Sequence, residues 1–201
     1  MTKIASICLL TATLIVGLVV STRAKDYDKA KPSQLDLLKK LAGEWTGKAA
    51  HGELTHDATV TYKVTSGGSA VVETLGPGSE HEMVTVFCQD GDDLVLTHYC
   101  ALGNQPRMKA EKSDSTKKIT FKFSGAGNLK SAQDMHMHDL TIEFLGDDHI
   151  KTAWTMYKDG KENSTSIFDL KRKKKYHSNQ KKLPHKPEAP ARVALAGASG
   201  L

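Results

Sequence analysis

Residues 119 to 124, Ile119-Thr120-Phe121-Lys122-Phe123-Ser124, alternate strictly between apolar and polar side chains. Neighbouring side chains on a β-strand point to opposite faces, so Ile119, Phe121 and Phe123 share a buried face while Thr120, Lys122 and Ser124 meet water. The pattern recurs upstream, where Ala58, Val60, Tyr62 and Val64 oppose Thr59, Thr61, Lys63 and Thr65. Working outward, alternating runs fall near 44–50, 56–65, 69–75, 81–88, 94–101, 106–112, 117–124, 135–145, 149–157 and 164–171. Turn chemistry separates them: Ser66-Gly67-Gly68, Gly76-Pro77-Gly78, Asp90-Gly91, Ser113-Asp114, Gly125 to Asn128, Gly146-Asp147-Asp148 and Asp159-Gly160. Ten short strands with no helical pattern between them read as an all-β antiparallel meander. Left open, such a sheet would keep two bare edges, and closure into a barrel removes them. A barrel of eight or more strands has room inside for packed side chains or one small ligand.

Just before the strands the period is 3.6. Leu35, Leu37, Leu38 and Leu41 suit one short helix, with Ser33 as N-cap and Gly43 as its stop. Residues 33–171 are therefore expected to form the barrel domain. Residues 25–32, charged and containing Pro32, read as a linker. Further upstream, Lys3 precedes an uncharged run from Ile4 to Val20 and the small-residue site Ser21-Thr22-Arg23-Ala24, so residues 1–24 read as a secretory signal peptide. An uncleaved N-terminal anchor is the alternative, because 17 such residues lie at the short limit for a membrane span. Both readings place the domain outside the cytoplasm, secreted or periplasmic.

The formal charge of +5 is unevenly distributed. Residues 25–170 carry 17 basic and 22 acidic groups, whereas residues 171–201 carry nine basic groups and one acid. The domain is thus mildly acidic, which argues against a specific nucleic-acid partner. Residues 172–201, opening on Arg172-Lys173-Lys174-Lys175 and carrying Pro184, Pro187 and Pro190, read as a disordered basic tail. Its one expected attraction is a weak one, to anionic envelope surfaces.

Of three cysteines, Cys8 lies in the signal run. Cys88 and Cys100 flank the Asp90-Gly91 turn, and mirror pairing about Gly91 sets Cys88 opposite Leu94 and Cys100 opposite Glu82. That separates them by on the order of 20 Å along the strands, against the roughly 7 Å that a disulfide tolerates. Two free thiols are expected.

The helix followed by Leu41-Ala42-Gly43-Glu44-Trp45-Thr46-Gly47 and a meander resembles the start of the calycin superfamily, where a Gly-x-Trp opens the first barrel strand. The resemblance implies a calycin or lipocalin-like barrel of about ten strands whose Trp closes one end. Gly68 to Thr74, Glu82 to Val86, Leu96-Thr97-His98-Tyr99-Cys100 through Asn104-Gln105-Pro106-Arg107-Met108, and Met135-His136-Met137-His138 are similar to an uncharacterised family of exported bacterial lipocalin-like proteins. The likeness spans roughly 35–171 and brings no established activity.

Strand parity points to the chemistry. The even positions His136, His138, Leu140, Ile142 and Phe144 share one apolar face, expected to be inward, and Leu94, Leu96, His98 and Cys100 share another. His98, His136 and His138 with the Cys100 thiol are suitable donors for zinc, copper or a haem iron. Pocket-lining histidines without any cofactor are the leading alternative, neutral when buried and able to donate or accept. Arg107 could receive a carboxylate or phosphate at the barrel end, with a rim salt bridge or turn cap as the alternative. Met108 and Trp154 complete the expected ligand-binding set, Met108 with Met83 and Met156 as a pliable wall and Trp154 as a plug, with ordinary core filling as the alternative for all of them. Asp90, Asp92 and Asp93 lack the Gly and late Glu of a calcium loop and read as a hairpin turn. No phosphate-binding glycine loop and no Gly-x-Ser-x-Gly is present. The leading expectation is a carrier of a small, largely apolar molecule. The alternatives are a metal- or haem-dependent protein, enzymatic or not, and an envelope protein acting through its tail.

Overall fold

The computed structural model describes residues 31–174. The signal segment, nearly all of the linker, and the tail beyond Lys174 lie outside the described residues. One helix, α1 (Gln34–Lys39), precedes ten strands: β1 (Gly43–His51), β2 (Leu54–Thr65), β3 (Ala70–Leu75), β4 (Met83–Asp90), β5 (Asp93–Tyr99), β6 (Gln105–Ala110), β7 (Lys118–Gly127), β8 (His136–Gly146), β9 (His149–Lys158) and β10 (Lys161–Arg172). Each strand pairs antiparallel with the next, and β1 pairs with β10, so the sheet closes into a barrel. The expected all-β meander and its closure are both present.

Closure demands a close approach. At Gly47, opposite Leu170, an added Cβ would sit 1.9 Å from the Asp169 carbonyl oxygen, so only glycine lets β1 and β10 meet here. The β4–β5 hairpin turns at Gly91, whose φ of 56° lies in the left-handed region. Asp90 there pairs with Asp93, which puts Cys88 opposite Val95 instead of the expected Leu94. The two-residue turn centres between Gly91 and Asp92, half a residue from the assumed mirror point. Cys88 and Cys100 are free and partly buried.

One barrel end is plugged. Ser33 accepts from the Asp36 amide at 3.1 Å and Asp36 accepts from the Ser33 amide at 3.2 Å, a reciprocal cap that starts α1. Its Leu35, Leu37 and Leu38, with Leu41, bury against the core. Trp45 is fully buried and donates its indole N–H to the Leu41 carbonyl at 2.7 Å. Arg172 lies 4.3 Å over the Trp45 ring and donates to the carbonyls of Lys40 and Ala42, both at 2.7 Å, and to the Asp148 carboxylate at 2.9 Å. The guanidinium caps the helix C-terminus and clamps the plug. Arg172 and Lys173, expected in the tail, thus belong to the barrel; Lys173 bonds the Glu44 carbonyl through its amide and the Glu44 carboxylate through its ammonium.

Candidate functional site in the open end of the barrel

Antiparallel order gathers the end of β3, the start of β4, the end of β5 and the start of β8 at the end opposite the plug. A cavity of about 70 Å³ opens there, lined by Leu75, Met83, His98, Met137, Trp154, Ser166 and Phe168. An outer mouth of about 330 Å³ shares Leu75, Met83 and Phe168 with it and adds His56, Ser79 and His81.

Behind the cavity runs one buried polar row. Tyr62 faces Glu73 across β2 and β3, Glu73 faces Thr85 across β3 and β4, and Thr85 faces His98 across β4 and β5. All four side chains are at most 3% exposed. The Tyr62 hydroxyl donates to Glu73 Oε1 at 2.7 Å, and Thr85 Oγ1 lies 3.0 Å from His98 Nδ1. Burial raises the Glu73 carboxyl above its ordinary range, while the hydrogen bond from Tyr62 and the nearby Thr85 hydroxyl pull the other way. Burial, then the charge of Glu73, holds the Tyr62 phenol far above its ordinary value. Burial alone lowers His98 to about 4, so the ring is neutral at physiological pH. His98 packs against Trp154 with ring centroids 4.6 Å apart. Among the described residues, His98 Nε2 and Trp154 Nε1, both buried, have no hydrogen-bond partner, nor does Glu73 Oε2.

His98 and Trp154 from the expected set therefore meet in one cavity. His136 and His138 form a second cluster, 5.5 Å apart. There His138 stacks between Phe123 at 4.9 Å and Tyr157 at 3.7 Å. The expectation of three imidazoles and a thiol in one lumen site is overturned, and a β-bulge is the cause. The register against β9 shifts between Met137 and Asp139, so Met137, of the parity expected to face out, lines the cavity. Among the described residues no group of three or more His, Cys, Asp or Glu side chains is placed to hold a metal ion.

Cys100 sits past the end of β5 in a turn closed by its carbonyl and the Gly103 amide, where partial burial raises its thiol. Arg107 is exposed on β6, because Pro106, Met108 and Ala110 hold the inward parity. It is not among the residues that line the cavity. Met108 is fully buried core. Asn104 donates to the Met135 carbonyl at 2.9 Å, tying the turn to the entry of β8, and Gln105 donates to the Gly103 carbonyl at 3.0 Å within the turn. Asp93 pairs with Lys109 and Lys112, which hold its carboxyl below the usual range. Sequence reasoning missed Tyr62, Glu73 and Thr85; the one available signal was Glu73, an acid at an inward position between Val71 and Leu75.

Comparison with known proteins fits this architecture. Neither a family model nor a curated protein matches the chain. Among solved structures it is similar to Rv2717c from M. tuberculosis, at 16% identity and a TM-score of 0.50, over 70% of this chain and 97% of that one. It is also similar to a protein of unknown function from the DUF3598 family of Nostoc punctiforme, at 13% identity and a TM-score of 0.43. That match covers 67% of this chain but only 48% of the other, so the chain spans about half its length. At this identity the likeness to Rv2717c is one of fold alone.

Proposed function

We propose that the protein binds a small, uncharged, largely apolar molecule in the open end of the barrel, with its polar end held by His98 Nε2 and Trp154 Nε1. The observation that carries this reading is that both buried ring nitrogens are unpartnered among the described residues, on two residues lining a cavity whose other walls are apolar except for Ser166. A buried donor or acceptor left unmade costs about 1–3 kcal/mol, which a hydrogen-bonding ligand repays. Apolar contact with Leu75, Met83, Met137 and Phe168 supplies the rest, at roughly 25 cal/mol per Å² buried. A few polar groups in a mostly apolar cleft are the usual make-up of a small-molecule site.

The charge pattern supports an uncharged ligand, since Arg107 is turned to solvent and, among the described residues, no Lys or Arg lines the cavity. The apolar run from Ile4 to Val20 supports action outside the cytoplasm, and the basic residues after Lys174 support weak attraction to anionic envelope polymers. Organic extraction of the purified protein followed by mass spectrometry tests the binding reading. A low-mass neutral compound retained by the wild type and lost in His98→Leu is the expected result. Recovery of the same compounds from both would overturn it.

A further inference from the structure

The polar row behind His98 does more than fill the barrel. We propose that Glu73 is a positioning residue which, through Thr85, decides which nitrogen of His98 carries the proton, and so whether the cavity offers a ligand an acceptor or a donor. The inference rests on the binding reading above and names the ligand chemistry of the same site.

The juxtaposition dictates two hydrogen-bond directions. Thr85 sits directly across from Glu73, whose Oε2 has no partner among the described residues; with Glu73 ionised, the Thr85 hydroxyl turns to donate to that oxygen and its own oxygen accepts from His98 Nδ1–H, which leaves Nε2 with a bare lone pair. With Glu73 neutral, the carboxyl donates to Thr85, Thr85 donates to Nδ1, and the imidazole proton sits on Nε2. One proton separates the states. It enters from the cavity at Nε2, the Nδ1 proton passes to Thr85 Oγ1, and the Thr85 hydroxyl proton passes to Glu73. Tyr62 donates to Oε1 in both states, being a phenol held neutral by burial and by the nearby acid.

The surroundings leave this row isolated from other charges. Tyr62 from β2 and Thr85 from β4 are the groups that act on Glu73, with His98 from β5 next in line. Helix α1 offers Leu35, Leu37 and Leu38, β1 offers Trp45 beside Tyr62, and the inward neighbours on β3 are Val71 and Leu75. Among the described residues no cation acts on the carboxyl, so burial is the largest influence and favours its neutral form. In that state His98 Nε2–H and Trp154 Nε1–H are two converging donors. The matching ligand ends in an acceptor oxygen such as a ketone or ester carbonyl; a hydroxyl-ended ligand gains when Glu73 ionises and Nε2 accepts.

The test reads the tautomer directly, on the full chain, from ¹⁵N shifts of the His98 ring between about pH 5 and pH 8, where an imidazole with so low a pKa stays neutral. A change from Nε2–H to Nδ1–H as the pH rises, abolished in Glu73→Gln and in the near-isosteric Thr85→Val, is expected. One unchanging tautomer in the wild type would overturn the proposal whatever the variants do. Cyclohexanone and cyclohexanol then serve as matched probes, and the ratio of their affinities should fall with rising pH in the wild type and stay constant in Thr85→Val. A tautomer switch with neither probe bound would overturn the binding reading and leave the relay standing.

Discussion

The rings of His98 and Trp154 lie 4.6 Å apart, centroid to centroid, with planes tilted by 41°. They come from β5 and β9, on opposite sides of the closed sheet, so only the folded barrel brings their free nitrogens onto one cavity wall. Met83, with Leu75 and Phe168, lines both the inner chamber and the mouth. Met83→Trp should block the passage and abolish retention of a co-purifying ligand. Enlarging the side chain should cost about 1–3 kcal/mol of stability, the usual range for overpacking; a calorimetric scan beside the mass-spectrometric extract measures both.

Acid should weaken the fold through His98. An unfolded chain binds a proton on this ring near the ordinary 6.5, whereas the folded one resists until about 4. Below 6.5 the unfolded state therefore takes up more protons, and stability falls as the pH drops through that window. The loss should approach about 3 kcal/mol at the rate of 1.36 kcal/mol per unit. Urea titrations of wild type and His98→Gln across this range should show the acid loss in the first and most of it gone in the second.

Glu73 works in the opposite sense. Its folded carboxyl holds a proton above the ordinary 4.5, so stability falls as the pH rises from there through the raised value. Glu73→Gln should remove that decline while leaving the acid loss due to His98 intact, which the same titrations resolve.

Arg172 should be the costliest exposed-side substitution. Arg172→Ala deletes the cation over Trp45, the caps on Lys40 and Ala42 and the bond to Asp148. About 2–4 kcal/mol of stability should go with them. Arg172→Lys should recover less than half, since a single ammonium cannot reach several acceptors as the fork does. Chemical denaturation followed by fluorescence reads this.

The barrel was legible because its signal is local. Period-two alternation, turn glycines and one leucine-rich helix each lie within a dozen residues, and the ten runs found that way are the ten strands. Parity carried Leu94, Leu96 and His98 correctly to the interior, since β5 is regular. It failed at His138, where a bulge against β9 shifts the register; no residue type marks the place. The polar row was hidden for a different reason. Tyr62, Glu73, Thr85 and His98 are spread over 37 positions and meet through strand register, which a one-residue error in a turn such as Asp90 to Asp93 already displaces. Arg172 looked like tail because its neighbours are all basic, and its partners lie some 130 residues earlier.

Gly47→Ala tests the closure itself. A methyl group 1.9 Å from the Asp169 carbonyl must push β1 from β10. Amide protection along both strands should fall, with a global loss above about 3 kcal/mol, as expected when backbone rather than a flexible side chain must move. An alanine variant of wild-type stability and protection would contradict the packing described.

The two tryptophans provide the most direct measurement, because their indole N–H groups are in opposite situations. Trp45 donates to Leu41, while Trp154 has no partner at the cavity wall. Titrating the ¹⁵N-labelled protein with cyclohexanone should move the Trp154 indole signal downfield in a saturable way and leave that of Trp45 in place. A Trp154 signal that stays fixed at saturating probe, in a folded protein, would contradict a ligand site at this end of the barrel.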